Sequence, residues 1–389
     1  MLVPVHSEPI QGYRIHWADS ILEAGIASEW TSFPSSSTDT LDAGYLAALE
    51  QAQPGDLSFR YGLLYYRDDG QPVARIALQV LNFTSRNFKF PRTTWKTLLA
   101  MIALRFRRFR VIMAGNLFSV GKPMIDCPDE NHLPALLQAT EIEARRLGYD
   151  LLLLKDLPEY WHESVFENAG YHPFEADLTM QLSLPASWNS FDEYLHALTK
   201  KYRQRAVKIR RSGALLERRW LTPAEVRTGA NAINRLFRSV QEKQVVRMGI
   251  VDVCYFLALS TALGDRFRML GYFLQDRLVG FASYIRHGDE LEVHYIGMDY
   301  TVNATHQLYF NILLDGIEHA IRDRYAKLEL GRTAREAKAV CGCRPHPFRD
   351  RFKTRNAGIQ RLLNRMAASF TEDEGASWQI RHPFGERMI

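Results

Sequence analysis

Cysteine is scarce in this chain, with four residues in 389. Only Cys341 and Cys343 lie close together, and the single glycine between them does not match the C-x-x-C spacing of structural zinc sites. The histidines form no metal-ligand pattern. A chain of this length does not need a disulfide framework, and unpaired cysteines are typical of reducing compartments. We therefore predict a cytoplasmic protein without a bound metal ion.

Long hydrophobic runs are also missing. The longest, such as Leu98–Leu104, fall far short of the roughly 20 residues that span a membrane. The first residues have neither the basic start nor the apolar core of a signal peptide. The net charge of +5 is low for a general nucleic-acid binder of this length. These absences argue against an integral membrane protein and against a chain devoted to nucleic-acid binding.

Hydrophobic residues make up 46% of the chain, enough for a core in each of the two domains that its length suggests. Two hairpins of similar length recur far apart. In the first, Phe59–Tyr66 and Val73–Leu81 flank an Asp-Asp-Gly-Gln-Pro turn. In the second, Phe267–Leu274 and Leu278–Arg286 flank a Gln-Asp-Arg turn. The repetition predicts two related halves.

Each hairpin is followed by a helix and then by a strand. In the first half, Leu133–Leu147 has helical periodicity, and Tyr149–Leu154 is an apolar run of the buried-strand type. In the second half, His306–Arg322 is the helix and Tyr325–Leu330 is the strand. The same order of elements thus occurs twice, which predicts an α/β fold made of two copies.

The two predicted domains comprise residues 1–185 and 186–369, followed by an irregular tail over residues 370–389. A strand of alternating polarity, Ala176–Leu184, closes the first domain. The first copy also has a longer connection than the second. We interpret the extra part, about residues 82–110, as an insertion rich in basic side chains.

Two segments of the second half resemble a known family. Phe191–Arg211 reads FDEYLHALTKKYRQRAVKIRR, and Leu328–Gly342 reads LELGRTAREAKAVCG. Both are similar to motifs of the FemAB-like and CelD-like acyltransferases of the GNAT superfamily. The resemblance implies tandem GNAT-like domains, each a mixed, mostly antiparallel sheet flanked by helices.

The resemblance further implies transfer of an acyl or aminoacyl group to an amine or hydroxyl, by direct attack in a ternary complex in the second domain. Acyl-CoA is the usual donor of GNAT domains, whose glycine-rich loop before a helix holds the pyrophosphate. Here no glycine lies between Gly297 and the helix predicted from His306. Family members that use other donors, including aminoacyl-tRNA, tolerate this loss, so both donors stay open.

Glu290, Glu292 and His294 alternate along one predicted strand and therefore share a face. A carboxylate or imidazole in a cleft is able to remove the proton of an attacking ammonium group, so Glu292 and His294 are our candidates for the catalytic base. Tyr295 is predicted on the opposite face, as a candidate general acid toward the leaving group. The alternative for Glu290, Glu292 and His294 is a polar face of the sheet exposed to solvent. The alternative for Tyr295 is a half-buried tyrosine of the core.

Four basic residues are candidates for binding the substrate or the donor. Arg332 and Lys338 follow the strand of the later motif, where a cation binds a phosphate or carboxylate. Lys201 and Arg205 belong to Lys200–Arg211, which holds seven basic residues and no acid. Acidic partners such as phosphorylated carriers, nucleotide-linked sugars or tRNA fit this helix. The alternative is an ordinary solvated helix.

The end of the insertion, Arg92–Arg110, combines six basic residues with an apolar stripe. Such a segment fits either peripheral contact with an anionic membrane surface or a packing helix with a basic rim. The expected substrate is a small or carrier-linked acidic molecule, and no stable protein partner is indicated. A second hypothesis is that the chain has this fold but catalyses no reaction, and is a module that binds an acidic carrier, a nucleotide sugar or RNA.

Overall fold

The structure, a computed structural model, describes residues 10, 12–34, 39–54, 57–67, 70–83, 109–174, 178–243, 251–361 and 381–385. These residues fall into two compact units. The first unit comprises the described residues among positions 10–174, residue 251 and residues 348–361. The second comprises residues 178–243, 252–347 and 381–385. In this part of the chain, every helix is too short or too polar to cross a membrane.

The first unit is built on a sheet with the strand order β1-β2-β3-β4-β6-β15-β7, and β5 pairs with β3 beside this order. Among the neighbours in this order, β4 and β6 are the one parallel pair. The strands are β1 Tyr13–Ala18, β2 Leu57–Tyr66, β3 Pro72–Phe83, β4 Phe109–Ala114, β5 Ile125–Asp126, β6 Leu151–Leu154, β7 His172–Phe174 and β15 Asp350–Thr354. The described α-helices of this unit are α1 Ala24–Ser32, α2 Ala43–Ala52, α3 Leu133–Arg146 and α4 Glu163–Asn168.

The second unit has a sheet of seven strands in the order β14-β8-β13-β12-β11-β10-β9, and β12 with β13 is its one parallel pair. The strands are β8 Leu178–Ser183, β9 Glu217–Leu221, β10 Phe267–Leu274, β11 Arg277–His287, β12 Glu290–Met298, β13 Lys327–Glu329 and β14 Arg344–Pro347. Its described α-helices are α5 Phe191–Ala197, α6 Lys200–Ser212, α7 Pro223–Thr228, α8 Ala230–Gln241, α9 Val253–Leu263, α10 Tyr300–His306, α11 Leu308–Arg322 and α12 Arg335–Val340.

The predicted fold class and the internal repeat are confirmed. In each unit a hairpin is followed by a third antiparallel strand, a helix and a parallel strand: β2, β3, β4, α3 and β6 in the first, and β10, β11, β12, α11 and β13 in the second. The sequence analysis missed β4, because its first two residues were assigned to the basic insertion. Residues 84–108 of that predicted insertion lie outside the described residues.

The division between the units differs from the predicted domain boundary in two places. Strand β8 does not close the first sheet but pairs with β13 and β14 in the second. Strand β15, predicted inside the second domain, lies between β6 and β7 of the first sheet. The alternating pattern of a strand reports that one face is buried, and it carries no information about which sheet the strand joins.

The predicted tail is partly described, and it packs closely although residues 381–385 form no helix or strand. The backbone N–H of Thr199 donates to the Pro383 carbonyl at 2.8 Å. The ring of Phe384 contacts Trp188 and Tyr194, with centroids 5.6 and 6.0 Å away. This segment therefore packs against the core of the second unit.

The basic helix α6 turns one face inward, as its spacing predicts. Ala206 and Ile209 are buried, and the guanidinium of Arg210 pairs with the carboxylates of Asp315 and Glu318 on α11. The helix predicted over His306–Arg322 is observed as α11 and begins at Leu308, because Gln307, with a φ of +47°, separates it from the short helix α10.

Candidate functional site

The parallel strands β12 and β13 of the second unit pair at only three positions. The register is Glu290 with Lys327, Leu291 with Leu328, and Glu292 with Glu329. Strand β13 ends at Glu329, whereas β12 continues to Met298. The sheet is therefore open along the second half of β12, and a pair of carboxylates marks the point where the opening begins.

A β-bulge distorts β12 inside this opening. The register with β11 shifts between Ala282 and Tyr284, so that His294 and Tyr295 together face Ser283. The Ser283 hydroxyl accepts a hydrogen bond from the Tyr295 N–H at 3.0 Å and donates to the Tyr295 carbonyl at 3.2 Å. The serine side chain thus replaces the missing ladder bonds.

The bulge corrects the prediction that Tyr295 lies on the face opposite to His294. Both rings contact Tyr255 of α9, with centroids 5.7 and 6.0 Å away, and they contact each other at 4.5 Å. Simple alternation places neighbours on opposite faces, but the extra residue of a bulge brings two consecutive side chains to the same side. Tyr295 is half-buried and also meets Phe237 edge to face at 5.2 Å.

Glu292 and His294 belong to a buried chain of four hydrogen-bonded side chains. The Tyr255 hydroxyl lies 2.7 Å from His294 Nε2, and His294 Nδ1 lies 2.8 Å from Glu292 Oε1. The other carboxylate oxygen of Glu292 lies 3.0 Å from His287 Nε2. Neither Tyr255 nor His287 was a predicted site residue; Tyr255 lies almost 40 positions away in the sequence, and only the fold reveals the contact.

Electrostatic interactions favour one protonation state of these four hydrogen-bonded side chains. Burial opposes ionisation of Glu292, but His294 and His287 outweigh it and hold the pKa of this carboxyl well below its usual range. An ionised Glu292 accepts a hydrogen bond from the N–H at His294 Nδ1, which leaves His294 Nε2 to accept one from the Tyr255 hydroxyl. The side chain of His294 has no exposed surface. The hydrogen bonds that His294 makes to Glu292 and Tyr255 are therefore shielded from water.

Glu329, the register partner of Glu292, is a site candidate that the sequence analysis missed. It is fully buried and accepts hydrogen bonds from the Thr179 hydroxyl, the Gln181 amide and the Gly331 N–H. Burial raises the pKa of Glu329 to about 7, with a further contribution from Glu292. Two adjacent carboxyls with pKa values pushed in opposite directions are typical of acid-base sites. The sequence offered one signal for this residue, a glutamate between two leucines in a strand of the buried type.

Lys338, a candidate for binding a phosphate or a carboxylate, is buried in the interior of the second unit. Its ammonium group donates to the Gly331 carbonyl at 3.0 Å. Burial lowers the pKa of Lys338 to about 8, although Cys343 and Glu329 favour the charged form. Arg332 is half-buried in the turn that precedes α12. The later motif thus contributes Glu329 and Lys338 to one buried cluster.

The two predicted cations of α6 lie on its exposed face. Arg205 stacks over the ring of Phe310 at 5.1 Å, and Lys201 lies near the ring of Tyr202 at 5.8 Å. Arg205 also lies close to the turn after α12: burial raises the pKa of the Cys341 thiol to about 12, and Arg205 partly opposes this rise. A thiol held protonated is a poor nucleophile. The fold therefore brings Arg205, but not Lys201, next to the motif that contains Lys338.

The helix after β12 does not offer an open N-terminus. The Asp299 carboxylate accepts a hydrogen bond from the Thr301 N–H at 2.9 Å and caps α10, and Arg277 pairs with the same carboxylate at 3.0 Å. A negative charge at this position repels a phosphate. Together with the missing glycines, the cap makes this helix a poor site for a pyrophosphate.

The equivalent strands of the first unit remain closed. Strands β4 and β6 pair at four consecutive positions, and the Lys155 N–H extends the ladder by bonding to the Ala114 carbonyl at 2.9 Å. Gly115 follows directly, and a Cβ atom there would lie 2.4 Å from the Lys155 Cβ. The opening described above is thus a feature of the second unit. In neither unit do the described residues form a His, Cys, Asp or Glu group able to hold a metal ion.

Comparisons with known proteins give structural matches alone. No family model matches the sequence, and no curated protein matches it either. The crystal structure of FemX superimposes with a TM-score of 0.50 at 11% identity, over 86% of this chain and 96% of FemX. The chain has the fold of FemX.

Other solved structures match over much of the chain at lower TM-scores. A tandem GNAT protein from the clavulanic acid biosynthesis pathway gives 0.46 at 12% identity, over 88% of this chain and 98% of that one. A GCN5-related N-acetyltransferase from Kribbella flavida gives 0.42 at 12% identity, over 90% and 73%. At such identities the FemX-like fold is what the likeness establishes, and the activity has to be argued from the site.

Proposed function

We propose that this protein transfers an acyl or aminoacyl group to an amine or hydroxyl acceptor, by direct attack in a ternary complex at the opening beside β12. The observation that carries the proposal is the buried Tyr255–His294–Glu292–His287 chain, in which His294 belongs to the bulge. Its geometry follows the logic of a base that a carboxylate orients and stabilises. The fold of FemX is compatible with this chemistry.

In the proposed reaction the ammonium group of the acceptor loses one proton through the Tyr255 hydroxyl to His294 Nε2. The imidazolium that results is stabilised by the ionised Glu292. The free amine attacks the acyl carbon, the bond from that carbon to the donor's oxygen or sulfur breaks, and the leaving group takes a proton from Tyr295. The acceptor nitrogen loses its second proton when the amide forms, and this proton restores Tyr295.

Substitutions along the chain test the assignment of the base. We expect His294→Ala and Glu292→Gln each to lower kcat by about a hundredfold or more, the usual contribution of a positioned base. His382→Ala, at an exposed position, is the matched control. Transfer is measured with radiolabelled aminoacyl-tRNA or acetyl-CoA and a panel of amines, and circular dichroism checks the fold. Unchanged turnover in both variants would show that the base lies elsewhere.

For the donor we favour an aminoacyl ester carried on tRNA over acyl-CoA. The Asp299 cap disfavours a pyrophosphate at α10. The outer face of α6 instead presents five exposed cations, namely Lys200, Lys201, Arg205, Lys208 and Arg211. Cations along one face suit a phosphate backbone. A donor of this kind would place the reaction in the cytoplasm.

Salt dependence distinguishes the two donors. If tRNA binds along α6, its affinity falls with salt concentration, and Lys201→Gln lowers the magnitude of the slope of log K against log[salt] by about one. Lys327→Gln, which removes a lysine from β13, is the control, since Lys327 does not belong to α6. Stabilisation by acetyl-CoA in a thermal-shift assay, without tRNA binding, would reverse the preference.

A second candidate function is a non-catalytic module that binds an acidic carrier or a nucleotide sugar. The observation that favours it is the complete burial of the His294 side chain, which no substrate reaches unless the packing over Tyr255 opens. Binding of a nucleotide sugar or tRNA that is unaffected by His294→Ala, together with no transfer to any amine, would support this function over the first.

A further inference from the structure

A cavity of about 360 Å³ lies along helix α8. This volume is within the usual range of small-molecule sites. The described lining residues are Asn231, Asn234, Arg235, Arg238, Ser239 and Glu242. The buried residues of the same helix are Ile233, Leu236 and Phe237. Since every described lining residue carries a polar or charged side chain, the cavity is suited to a charged ligand.

Three of the lining side chains form a stripe of hydrogen-bond donors. Asn231, Arg235 and Arg238 are spaced by four and three residues, which places them on one face of the helix. All three are exposed, and in the described part of the chain none of these side chains has a hydrogen-bond or ion-pair partner. Two guanidinium groups and a carboxamide thus point into the same space with their donors unused.

The helix that carries this stripe is held rigidly. The Asn234 side-chain oxygen accepts a hydrogen bond from the Val253 N–H at 2.9 Å, which ties α8 to α9. The Ser239 hydroxyl donates to the Met298 carbonyl at 2.6 Å, which ties α8 to the end of β12. Glu242, the acid among the described lining residues, already has an interaction partner. The donors are therefore presented on a fixed surface, as a binding site requires.

We propose that Asn231, Arg235 and Arg238 bind an oxyanion, a phosphate or carboxylate group, that belongs to the acceptor molecule. Guanidinium groups bind both anions through paired N–H donors. The name "acceptor" rests on the proposed function, whereas the binding of the anion does not. The inner face of α8 contacts Tyr295 through Phe237, so the oxyanion lies about one helix diameter, roughly 10 Å, from the bulge. The anionic group is thus a part of the acceptor remote from its amine.

Calorimetric titration of the full chain with inorganic pyrophosphate and with citrate tests the binding. We expect at least one of them to bind, and Arg238→Gln to weaken that binding about tenfold, the usual effect of one charge-assisted hydrogen bond. Asn231→Ala weakens it without a change of charge. Arg227→Gln is the matched control, because Arg227 is an exposed arginine of the neighbouring helix α7 outside the cavity.

The outcomes separate the sources of the anion and the two proposals. Selective binding of pyrophosphate indicates a phosphate group, and selective binding of citrate indicates a carboxylate. No binding by the wild type, or equal weakening in Arg238→Gln and Arg227→Gln, overturns the site. In the transfer assay Arg238→Gln is expected to raise KM with kcat unchanged; an unchanged KM overturns the link to the acceptor. Unaltered turnover of His294→Ala contradicts the proposed base but leaves the pyrophosphate result standing.

Discussion

Glu329 makes the stability of the second unit depend on pH. Its pKa is about 7 in the folded protein and about 4.5 when unfolded, so between these values the folded state binds more protons. The free energy of unfolding therefore falls as pH rises from 4.5 to 7, by about 3 kcal/mol in total. Glu329→Gln removes this dependence.

We accordingly expect Glu329→Gln to become more stable relative to the wild type between pH 5 and pH 8. The fixed effect of replacing a carboxyl by an amide beside Thr179 and Gln181 cancels when the two pH values are compared. Urea unfolding of both proteins at each pH measures the difference. A constant difference would mean that Glu329 titrates normally.

In the proposed reaction His287 would act through Glu292, as a positioning residue. His287→Leu leaves one oxygen of a buried carboxylate without its donor, which costs about 1–3 kcal/mol of stability. His287→Gln keeps a side-chain N–H within reach of Glu292 and is expected to restore most of the loss. The pH profile of kcat should shift in the leucine variant and return with glutamine; equal behaviour of the two variants would limit His287 to a packing role.

At the scale of single residues, the sequence predicts which side chains are chemically competent but not how deeply they are buried or what they contact. Alternation along β12 correctly predicted that Glu292 and His294 lie together. Glu292 precedes the bulge and His294 is its first residue, so the alternation between them is undisturbed. Glu329 was missed because a buried glutamate has no pattern of its own in a strand. Lys338 was found, but its burial was not, since a lysine in a short polar segment resembles surface charge.

At the scale of elements, Ser283 is expected to hold the bulge of β12. Ser283→Ala removes both hydrogen bonds between the serine hydroxyl and the part-buried backbone of Tyr295, which costs about 1–3 kcal/mol. Ser183→Ala, at an exposed position in β8, is the control and is expected to change stability by less than about 0.5 kcal/mol. Thermal unfolding of both variants measures the contrast. Equal midpoints would show that the bulge persists without its serine.

The elements themselves were largely predictable. Both hairpins, the helix α3 and the two inward residues of α6 follow from hydrophobic spacing and turn chemistry. The break at Gln307 was not predictable, because a left-handed residue within an otherwise helical pattern carries no hydrophobic signal. The bulge was not predictable either, since it depends on the register with the neighbouring strand.

At the scale of the whole molecule, the first unit is not continuous in sequence. Strand β15 lies between β6 and β7, so a fragment that ends at residue 185 leaves both strands with an unpaired edge. We expect this fragment to lack a cooperative thermal transition. In β15, Asp350 is the register partner of Phe174.

A chain in which a short glycine-containing turn joins Phe174 directly to Asp350 and ends after residue 361 is the matched comparison. It supplies β15 without the second unit and is expected to unfold cooperatively. Calorimetry and near-ultraviolet circular dichroism distinguish the two fragments. Cooperative unfolding of the fragment that ends at residue 185 would show that β15 is dispensable. The sequence did not predict this dependence, because pattern alone does not assign a strand to one of two sheets.

The position of β15 also sets the order of events during synthesis. More than 170 residues separate β7 from β15 in the chain. At about 5–20 residues per second, the ribosome needs roughly 10 seconds or more to deliver the strand that the first sheet still lacks. During that interval the nascent chain exposes two strand edges, which are templates for pairing with other chains. Completion of both sheets falls within a few residues of each other, at β14 and β15, so the two units acquire their final strands almost together.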